Sequence, residues 1–307
     1  MDEQSINGII NVRKERGYTS FDVVAKLRGI LKTKKIGHTG TLDPDAEGVL
    51  PVCIGKATRV CELLTDKDKE YEAVLLLGRT TDTQDVTGTT LSEAEVHMSQ
   101  EEVQRAVLSF VGSYDQIPPM YSALKVNGRK LCDLARAGVE VERAARPVTI
   151  HDITLLEVNL PRIRMRVHCS KGTYIRTLCH DIGITLGCGG CMESLLRTRV
   201  AGFRLEHSYT LAELQQMKDA GAIEEAVIPV DSVFGRLPVV TARRSCEKLL
   251  YNGNKLPAAA WRQNGDTGVS EASDRSQFRV YDEAGHFIGI YEYLVAEQVL
   301  KPVKMFW

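Results

Sequence analysis

The chain has 307 residues, of which 43% are hydrophobic and 26% are charged. This mixture is typical of a folded, soluble protein and excludes wholesale disorder, and the length allows two domains. No apolar run reaches the roughly 18 to 20 residues of a membrane-spanning helix, and the first residues lack the features of a signal peptide. We therefore expect a cytoplasmic protein whose eight cysteines stay reduced.

Basic residues are concentrated in two segments, although the formal net charge of the chain is only −1. Residues 13–35 contain eight lysines or arginines and two acidic residues, and residues 162–204 have the same balance. Residues 205–307 instead contain three more acidic than basic residues. Charged helix faces are commoner than RNA sites, but two local basic segments in a neutral chain favour a local site for a polyanion.

The first predicted elements are a strand and a helix. Residues 7–12 (NGIINV) form the apolar run of a buried strand. Residues 19–22 (TSFD) match a capping box, and apolar residues follow it at helical spacing. The predicted helix leads into a loop, GHTGTLDPDAEGVLP, at residues 37–51.

Three acidic residues of this loop, Asp43, Asp45 and Glu47, allow several interpretations. Their spacing matches the first half of a calcium loop, but Ile54 stands where the completing bidentate glutamate is required. A glycosidase-like carboxylate pair is possible in type, although Pro44 favours an extended chain in which the two aspartates compete electrostatically. An aspartate before a proline also caps turns frequently. The loop taken alone favours this structural role for Asp43.

Further strands and helices are predicted from alternation and from capping boxes. Residues 71–77 (YEAVLLL) are strand-like, and residues 162–169 (RIRMRVHC) alternate strictly between apolar residues and a row of three arginines and His168. Residues 99–102 and 210–213 are two more capping boxes, each predicted to begin an amphipathic helix.

The segment PPMYSALKVNGRK at residues 118–130 predicts an irregular excursion of the chain. Its two prolines interrupt regular structure, and its Asn-Gly pair favours a tight turn. Basic residues outnumber acidic ones here, as they do in the two segments above.

The composition changes near residue 236, and a small β-rich module is expected after it. We predict a short helix at residues 245–251, an exposed polar loop at residues 262–276 and a hairpin at residues 278–293.

A second loop changes the interpretation of Asp43. The sequence SKGTYIR, residues 170–176, leaves the arginine-rich strand, is expected to turn at Gly172 and begins a helix. Tyr174 and Arg176 lie at this junction, where a fixed guanidinium could hold a carboxylate ionised and oriented. A solvated arginine at a helix start would oppose the helix dipole, so a functional role is favoured.

The pair Cys188 and Cys191 forms a single CxxC motif. A structural zinc site needs two more ligands, and the sequence has no second pair at a spacing that would supply them. We predict no metal site.

Five motifs in one order resemble the bacterial tRNA pseudouridine-55 synthases of the TruB family. They are GHTGTLDPDAEGVLP, then KEY with LGRTTDT, QIPPMYSALKVNG, SKGTYIRT and SLLRTR. The resemblance covers about residues 5 to 205, and the tail resembles the small RNA-binding PUA-type module of such enzymes. Glu15, near the start of the resembling region, stands where a proline is common in the family.

The resemblance implies an α+β fold. Its catalytic domain, residues 1–236, would contain a mixed, largely antiparallel sheet flanked by helices and loops, with an RNA-clamping segment at about residues 119–147. Residues 237–307 would form a small PUA-like domain. The implied reaction is isomerisation of the T-loop uridine of tRNA to pseudouridine, with no cofactor and with the T arm of tRNA as partner. Nothing in the sequence demands more than a monomer, and we expect a monomer without an obligatory protein partner.

The resemblance also implies roles for single residues. Asp43 would be the catalytic carboxylate, acting as a nucleophile or as the base that removes a sugar proton, with Arg176 as its partner. Tyr71 would take part in catalysis by stacking on the flipped uracil. The remaining substrate-binding residues would be His38, which fills the place of the extruded base, Tyr174, a second ring, and Leu195, an apolar wall. RNA binding is expected at Lys125, Arg129, Lys130 and Lys171.

Two other functions stay open on the sequence. A non-catalytic RNA chaperone could clamp the T arm with the same basic surfaces, but the presence of both Asp43 and Arg176 argues against lost catalysis. A guide-RNA-dependent relative of the family would need protein partners, and the full-length clamp segment favours an enzyme that acts alone.

Overall fold

A computed structural model describes residues 6–264 and 273–307 of the chain. The α-helices of this part are α1 (Ser20–Leu31), α2 (Cys61–Thr65), α3 (Gln100–Leu108), α4 (Leu131–Arg136), α5 (Ile175–Thr185), α6 (Leu211–Asp219) and α7 (Glu247–Tyr251). The strands are β1 (Gly8–Lys14), β2 (Ile36–His38), β3 (Glu47–Ile54), β4 (Lys69–Leu77), β5 (Arg79–Thr81), β6 (Thr90–Glu93), β7 (Gly112–Gln116), β8 (Lys125–Val126), β9 (Arg129–Lys130), β10 (Arg146–Asn159), β11 (Arg162–Cys169), β12 (Gly190–Val200), β13 (Phe203–Arg204), β14 (Val227–Ile228), β15 (Val239–Ala242), β16 (Leu256–Pro257), β17 (Trp261–Asn264), β18 (Gln277–Tyr281), β19 (Phe287–Leu294) and β20 (Val299–Met305). Among the described residues, no helix is both long enough and apolar enough to span a membrane.

A ten-stranded sheet forms the centre of the fold. Its main path runs β14-β1-β3-β12-β4-β11-β10-β7, with β2 beside β3 and β13 beside β12. Every pair is antiparallel except β12 with β3. Strand β12 thus separates β3 from β4, which precede it by more than a hundred residues. The predicted α+β fold with a mixed, largely antiparallel sheet is confirmed.

Local sequence signals account for the main elements. All three capping boxes are formed, at Thr19, Ser99 and Thr210, and each satisfies free backbone N–H groups at a helix start. Strand β11 follows the predicted alternation, since its apolar residues are fully buried. Its arginine row is partly neutralised, because Arg162 pairs with Glu193 and Arg166 with Glu72.

Two hydrophobic cores support the large sheet. One lies among β4, β10, β11, β12, α3 and α5, and the other joins β1 and β3 to α1 and α6. Helix α1 therefore packs beside β3, the strand that follows the predicted Asp43 loop, and α5 holds Arg176 and the loop with Tyr174 that precedes it against fixed strands.

The C-terminal region forms a six-stranded sheet in the order β16-β20-β19-β18-β15-β17, which confirms the β-rich module. The short helix and the hairpin are both present, as α7 and as β18 with β19. Ile290 and Phe306 of this sheet pack into one apolar cluster with Ile9 and Cys53 of the large sheet.

The prediction of an exposed loop at residues 262–276 is wrong at its start. Strand β17 pairs there with β15, in antiparallel register. It lies at the edge of its sheet, where polar residues are tolerated, so its composition resembles that of a loop. Residues 265–272 of the predicted loop lie outside the described residues.

The excursion at residues 118–130 is irregular at first and then forms a two-residue hairpin. Strands β8 and β9 are joined by Asn127 and Gly128, whose φ angles are 51° and 80°. Positive φ at both positions is the requirement of a type I′ turn, which Asn-Gly meets best. Helix α4 follows directly.

Candidate active site

The loop that contains Asp43 connects β2 to β3 and is anchored on both sides of the aspartate. Leu42 and Ala46 are buried in the core cluster of β4 and β11. The Leu42 N–H donates to the hydroxyl of Ser20 at 2.9 Å, and the Ala46 N–H donates to the Asp43 carbonyl at 3.1 Å. The backbone of Asp43 therefore forms the turn expected of it, while its carboxylate is directed elsewhere.

Lys14 supports this loop from within the protein. Its side chain is fully buried, and its ammonium donates to the carbonyls of Pro44 and Ala46 at 3.0 and 2.5 Å and to that of Glu15 at 3.2 Å. Burial lowers the pKa of Lys14 to about 8, against the opposing effect of nearby carboxylates, first of all Asp43. Three carbonyls are thus fixed by one cation.

The parallel contact of β3 with β12 fixes the far end of the loop. Gly48 has a φ of +108°, and a Cβ there would lie 2.2 Å from the Arg197 carbonyl oxygen. Only glycine allows this approach. The buried Arg197 guanidinium donates to the carbonyls of Val49 and Gly40 at 2.7 and 3.2 Å.

Arg176 binds the Asp43 carboxylate with two nitrogens. Its Nε lies 3.0 Å from Oδ2, and its Nη2 lies 3.5 Å from Oδ1. The guanidinium is buried, and it also donates to the carbonyls of Thr83 and Tyr121 at 2.9 and 2.8 Å. This two-point contact fixes the orientation of the carboxylate, whose side chain is still 41% exposed.

A second carboxylate, Asp85, completes the surroundings of Arg176 and was not predicted from the sequence. Its Oδ2 lies 3.6 Å from Arg176 Nη1. Its Oδ1 accepts from the Thr83 hydroxyl and from the backbone N–H and hydroxyl of Thr87. The available signal was the density of threonine and aspartate at residues 80–89, which indicates a polar turn beside strand β5.

The charges around Asp43 act in opposite directions on its pKa. Desolvation raises the pKa above its ordinary value, the Arg176 guanidinium lowers it, and Asp85 raises it again. The net direction is upward, although the carboxylate is ion-paired. Such a group can exchange a proton at a pH closer to neutrality than an exposed aspartate can.

Two tyrosines and a leucine lie around this ion pair. Tyr71 is buried in β4 beside Leu195 in the same core cluster, and burial raises its pKa. Tyr174 is partly exposed at the start of α5, and the buried Gln116 side chain bonds both its N–H and its carbonyl. The charge of Asp43 raises the pKa of both tyrosines. Its ion pair with Arg176 brings the two predicted loops into one site.

Arg197 connects Tyr71 to the Asp43 loop, and it was not among the predicted site residues. It lies opposite Tyr71 in the antiparallel register of β12 with β4, and its charge lowers the pKa of the tyrosine hydroxyl against the larger, raising effect of burial. The same guanidinium binds the loop carbonyls described above. The first arginine of the quoted SLLRTR motif was the available signal for it.

His38 lies at the end of β2, five residues before Asp43. Its ring meets the ring of Phe21 edge-on, with the centroids 5.8 Å apart. Burial and then the charge of Arg197 lower the pKa of His38, so the imidazole is neutral at neutral pH. Phe21 is 74% exposed and was not predicted as a site residue.

The predicted RNA-binding residues differ in their surroundings. Lys125, Arg129 and Lys130 are exposed on the β8–β9 hairpin, and none of them forms an ion pair within the described part of the chain. Lys171 is exposed as well, but its ammonium pairs with Asp66 at 3.0 Å.

The alternative metal interpretations find no support in the geometry. Asp45 pairs with Arg16 at the surface, with 3.3 Å between Nε and Oδ1. Cys188 and Cys191 are both buried. Within residues 6–264 and 273–307, neither the loop carboxylates nor these cysteines converge as a group of three ligands.

Comparison with known proteins identifies the family. The model of the TruB family pseudouridylate synthase N-terminal domain matches residues 28–175, and that of the tRNA pseudouridylate synthase B C-terminal domain matches residues 176–234. The tRNA pseudouridine synthase B of Lachnoclostridium phytofermentans is 54% identical over 98% of this chain and all of that protein. The enzyme of the same name from Bacillus subtilis is 40% identical over 98% of this chain and 97% of that protein.

Solved structures agree with this result. A chain in the crystal structure of a Cbf5-Nop10-Gar1 complex is similar with a TM-score of 0.71 and 28% identity, over 98% of this chain and 85% of that one. A chain in an H/ACA RNP bound to a substrate RNA containing 2'-deoxyuridine has a TM-score of 0.70 and 26% identity over the same shares. Because the family models match residues 28–234 and the relatives are 40–54% identical over 98% of its length, the chain belongs to the TruB family of pseudouridylate synthases.

Proposed function

We propose that the protein isomerises the T-loop uridine of tRNA, at position 55, to pseudouridine, with Asp43 as the catalytic carboxylate. The observation that carries this proposal is the two-point contact between Arg176 and a partly exposed Asp43, beside two tyrosines. The names of the full-length relatives support tRNA as the substrate.

In this proposal the target uridine leaves its stack before it reacts. A base inside a folded T loop does not expose its glycosidic bond, so it must be flipped out. Tyr71 and Tyr174 offer aromatic faces that hold a base with little in-plane direction, and Leu195 closes the apolar side. His38 fills the place that the base has left, with its ring packed on Phe21.

The reaction needs no cofactor because it is an internal rearrangement. The bond between N1 and C1′ breaks, the uracil turns, C5 forms the new bond to C1′, and the proton lost from C5 is balanced by one gained at N1. Asp43 acts either as the nucleophile that holds C1′ during the turn or as the base that removes a sugar proton. Arg176 holds the carboxylate ionised and aimed in both versions.

The remaining parts of the chain have roles in the same proposal. The clamp segment, residues 119–147, closes over the T arm and presents Lys125, Arg129 and Lys130 to its phosphates, and Lys171 adds a further contact. Recognition depends mainly on the shape of the arm, since phosphate contacts read no sequence. We also propose that the enzyme works in the cytoplasm as a monomer without an obligatory protein partner.

We propose domains at residues 1–236 and 237–307. The strands of the large sheet lie within residues 8–228 and those of the second sheet within residues 239–305. The matched family models end at residue 234. Both observations support a boundary near residue 236 and a PUA-like tail.

The decisive experiment is incubation of the purified protein with an unmodified tRNA transcript, followed by carbodiimide treatment and primer extension. We expect pseudouridine at one T-loop position, and we expect Asp43→Asn to bind the RNA without forming product. Asp45→Asn is the matched control, because its carboxylate lies in the same loop but pairs with Arg16 at the surface. This control should stay active.

Other results would favour the other functions. Equal product from Asp43→Asn would remove the catalytic role of Asp43. Binding without product from the unaltered protein would favour an RNA chaperone. Product that forms only after a guide RNA is added would favour the guide-dependent relatives.

A further inference from the structure

Three potential metal ligands, Asp68, His151 and His168, meet at the surface of the large sheet, outside the residues credited with catalysis. Asp68 directly precedes β4, His151 lies in β10 and His168 lies in β11. One ligand atom from each residue lies within 4.8 Å of the ligand atoms of the other two. The three strands are neighbours in the sheet, so the backbone fixes this proximity.

A bulge in β10 is what brings the two histidines together. Ile150 faces Cys169 and Asp152 faces His168, so His151 is the extra residue between two regular pairs. Its side chain is thereby turned to the outer face of the sheet, where its ring centroid lies 4.7 Å from that of His168. Bulges commonly re-aim a side chain in this way beside functional sites.

The distances suit a tetrahedral ion. Zinc binds histidine nitrogen and carboxylate oxygen at about 2.0–2.2 Å, which separates neighbouring ligand atoms by roughly 3.4 Å. His151 Nε2 and Asp68 Oδ2 are already 3.4 Å apart. Both side chains are partly exposed, with exposed fractions of 36% for His151 and 49% for Asp68, so they can adjust around an ion.

The ion pair between His151 and Asp68 does not account for His168. The Nε2 atom of His168 is buried and has no hydrogen-bond partner among the described residues, whereas buried polar atoms normally have one. Arg199, the arginine whose charge acts on His168, is instead paired with Glu70, at 3.6 Å.

We propose that Asp68, His151 and His168 form a binding site for a divalent transition-metal ion such as Zn²⁺, with its remaining coordination positions open to water. Two imidazoles and one carboxylate select first-row transition ions over Mg²⁺ and Ca²⁺, which prefer sites made of oxygen ligands. The site is independent of the proposed isomerase activity.

The test is a titration of the untagged, full-length protein with Ni²⁺ and Co²⁺. These ions bind the thiols of the free cysteines less strongly than Zn²⁺ does. Isothermal titration calorimetry should give one site, and the Co²⁺ complex should show the visible absorption of a site with nitrogen ligands. His151→Ala and His168→Ala should each weaken binding by about tenfold or more, since even the loss of outer-shell partners costs this much.

His97→Ala is the matched control. His97 also pairs with a carboxylate, Glu95, at 2.9 Å on the surface, but no third ligand from the described residues joins them. This variant should bind Ni²⁺ as the unaltered protein does. A thermal melt with Ni²⁺ gives a second readout, because an ion that binds only the folded state raises the melting temperature. Equal binding by His151→Ala and the unaltered protein would overturn the proposal, as would an equal loss in His97→Ala.

Discussion

Asp43 and Asp85 bind different nitrogen atoms of the same buried guanidinium, that of Arg176. Asp43 contacts Nε and Nη2 and stays partly exposed, while Asp85 approaches Nη1 and is held by threonines. One cation therefore joins a carboxylate that is open to a substrate to one that is closed off.

Replacing Arg176 by lysine should lower the rate of the chemical step by about 10²-fold, the typical cost of misplacing a reacting group by 1 Å. A lysine keeps the charge but has no planar fork to orient the Asp43 carboxylate. Single-turnover assays at saturating tRNA would measure this, while filter binding should show unchanged affinity. A rate close to that of the unaltered enzyme would mean that charge alone suffices.

The pH dependence of turnover should reveal the influence of Asp85. In the proposed mechanism Asp43 must be ionised, and its raised pKa should place the loss of activity on acidification at a higher pH than for an exposed aspartate. Because Asp85 is one cause of that rise, Asp85→Asn should lower the pKa and move the acid limb of the pH–rate profile to lower pH. Asp45→Asn should move it less, since Asp45 has the weakest of these effects. An acid limb that stays in place in Asp85→Asn would contradict this account.

Lys14→Met should destabilise the protein by about 3 kcal/mol at neutral pH, because three buried carbonyls lose their donor. The folded-state pKa of Lys14, about 8, lies below the ordinary lysine value of 10.5. Between these values the unfolded chain holds more protons, so this group makes the protein more stable as the pH rises. Urea unfolding at several pH values should therefore show that the difference in the free energy of unfolding between the unaltered protein and Lys14→Met grows above pH 8. Lys34→Met, at an exposed lysine, should be as stable as the unaltered protein at each pH.

Gly48→Ala should cost more than about 3 kcal/mol and remove activity, because the new Cβ would overlap the Arg197 backbone at a positive φ. Gly221→Ala separates the two causes. Gly221 also has a positive φ, +74°, but a Cβ there would have nothing within 4 Å. Its cost should be about 1–2 kcal/mol, that of the left-handed backbone alone. Equal melting temperatures for the two variants would mean that β3 and β12 can move apart enough to accommodate a Cβ at residue 48.

Neutralising Lys125, Arg129 and Lys130 together, by glutamine, should weaken tRNA binding and flatten its dependence on salt. Each lost phosphate contact reduces the slope of log K against log salt by about 0.7–0.9, so three contacts reduce it by about 2–3. The single-turnover rate at saturating RNA should hardly change. A salt slope equal to that of the unaltered protein would show that the hairpin does not contact the RNA.

The sequence predicted best what depends on near neighbours. The capping box at Thr19, the alternation of β11 and the Asn127–Gly128 turn are each decided within a few residues, and all three are confirmed. Strand β17 was missed because an edge strand needs no apolar face and gives no alternating pattern.

The site was predicted only in part for the same physical reason. Asp43 and Arg176 were paired from the chemistry that a guanidinium and a carboxylate share, and they do meet. Asp85 and Arg197 were not predicted, because their contacts join segments about 90 and 150 residues apart in the chain. No local pattern specifies such a distant partner, and only the order of strands in the sheet decides it.

The insertion of β12 between β3 and β4 has a consequence for the newly made chain. The strands β3 and β4, which flank β12, leave the ribosome long before β12 does. In the folded protein they are separated by β12, so they do not pair with each other. Until residues 190–200 emerge, the Asp43 loop has neither Arg197 nor the backbone against which Gly48 packs. Since such long-range pairing is slow, activity should arise late in biosynthesis, and a chain truncated before this strand should be unable to catalyse the reaction.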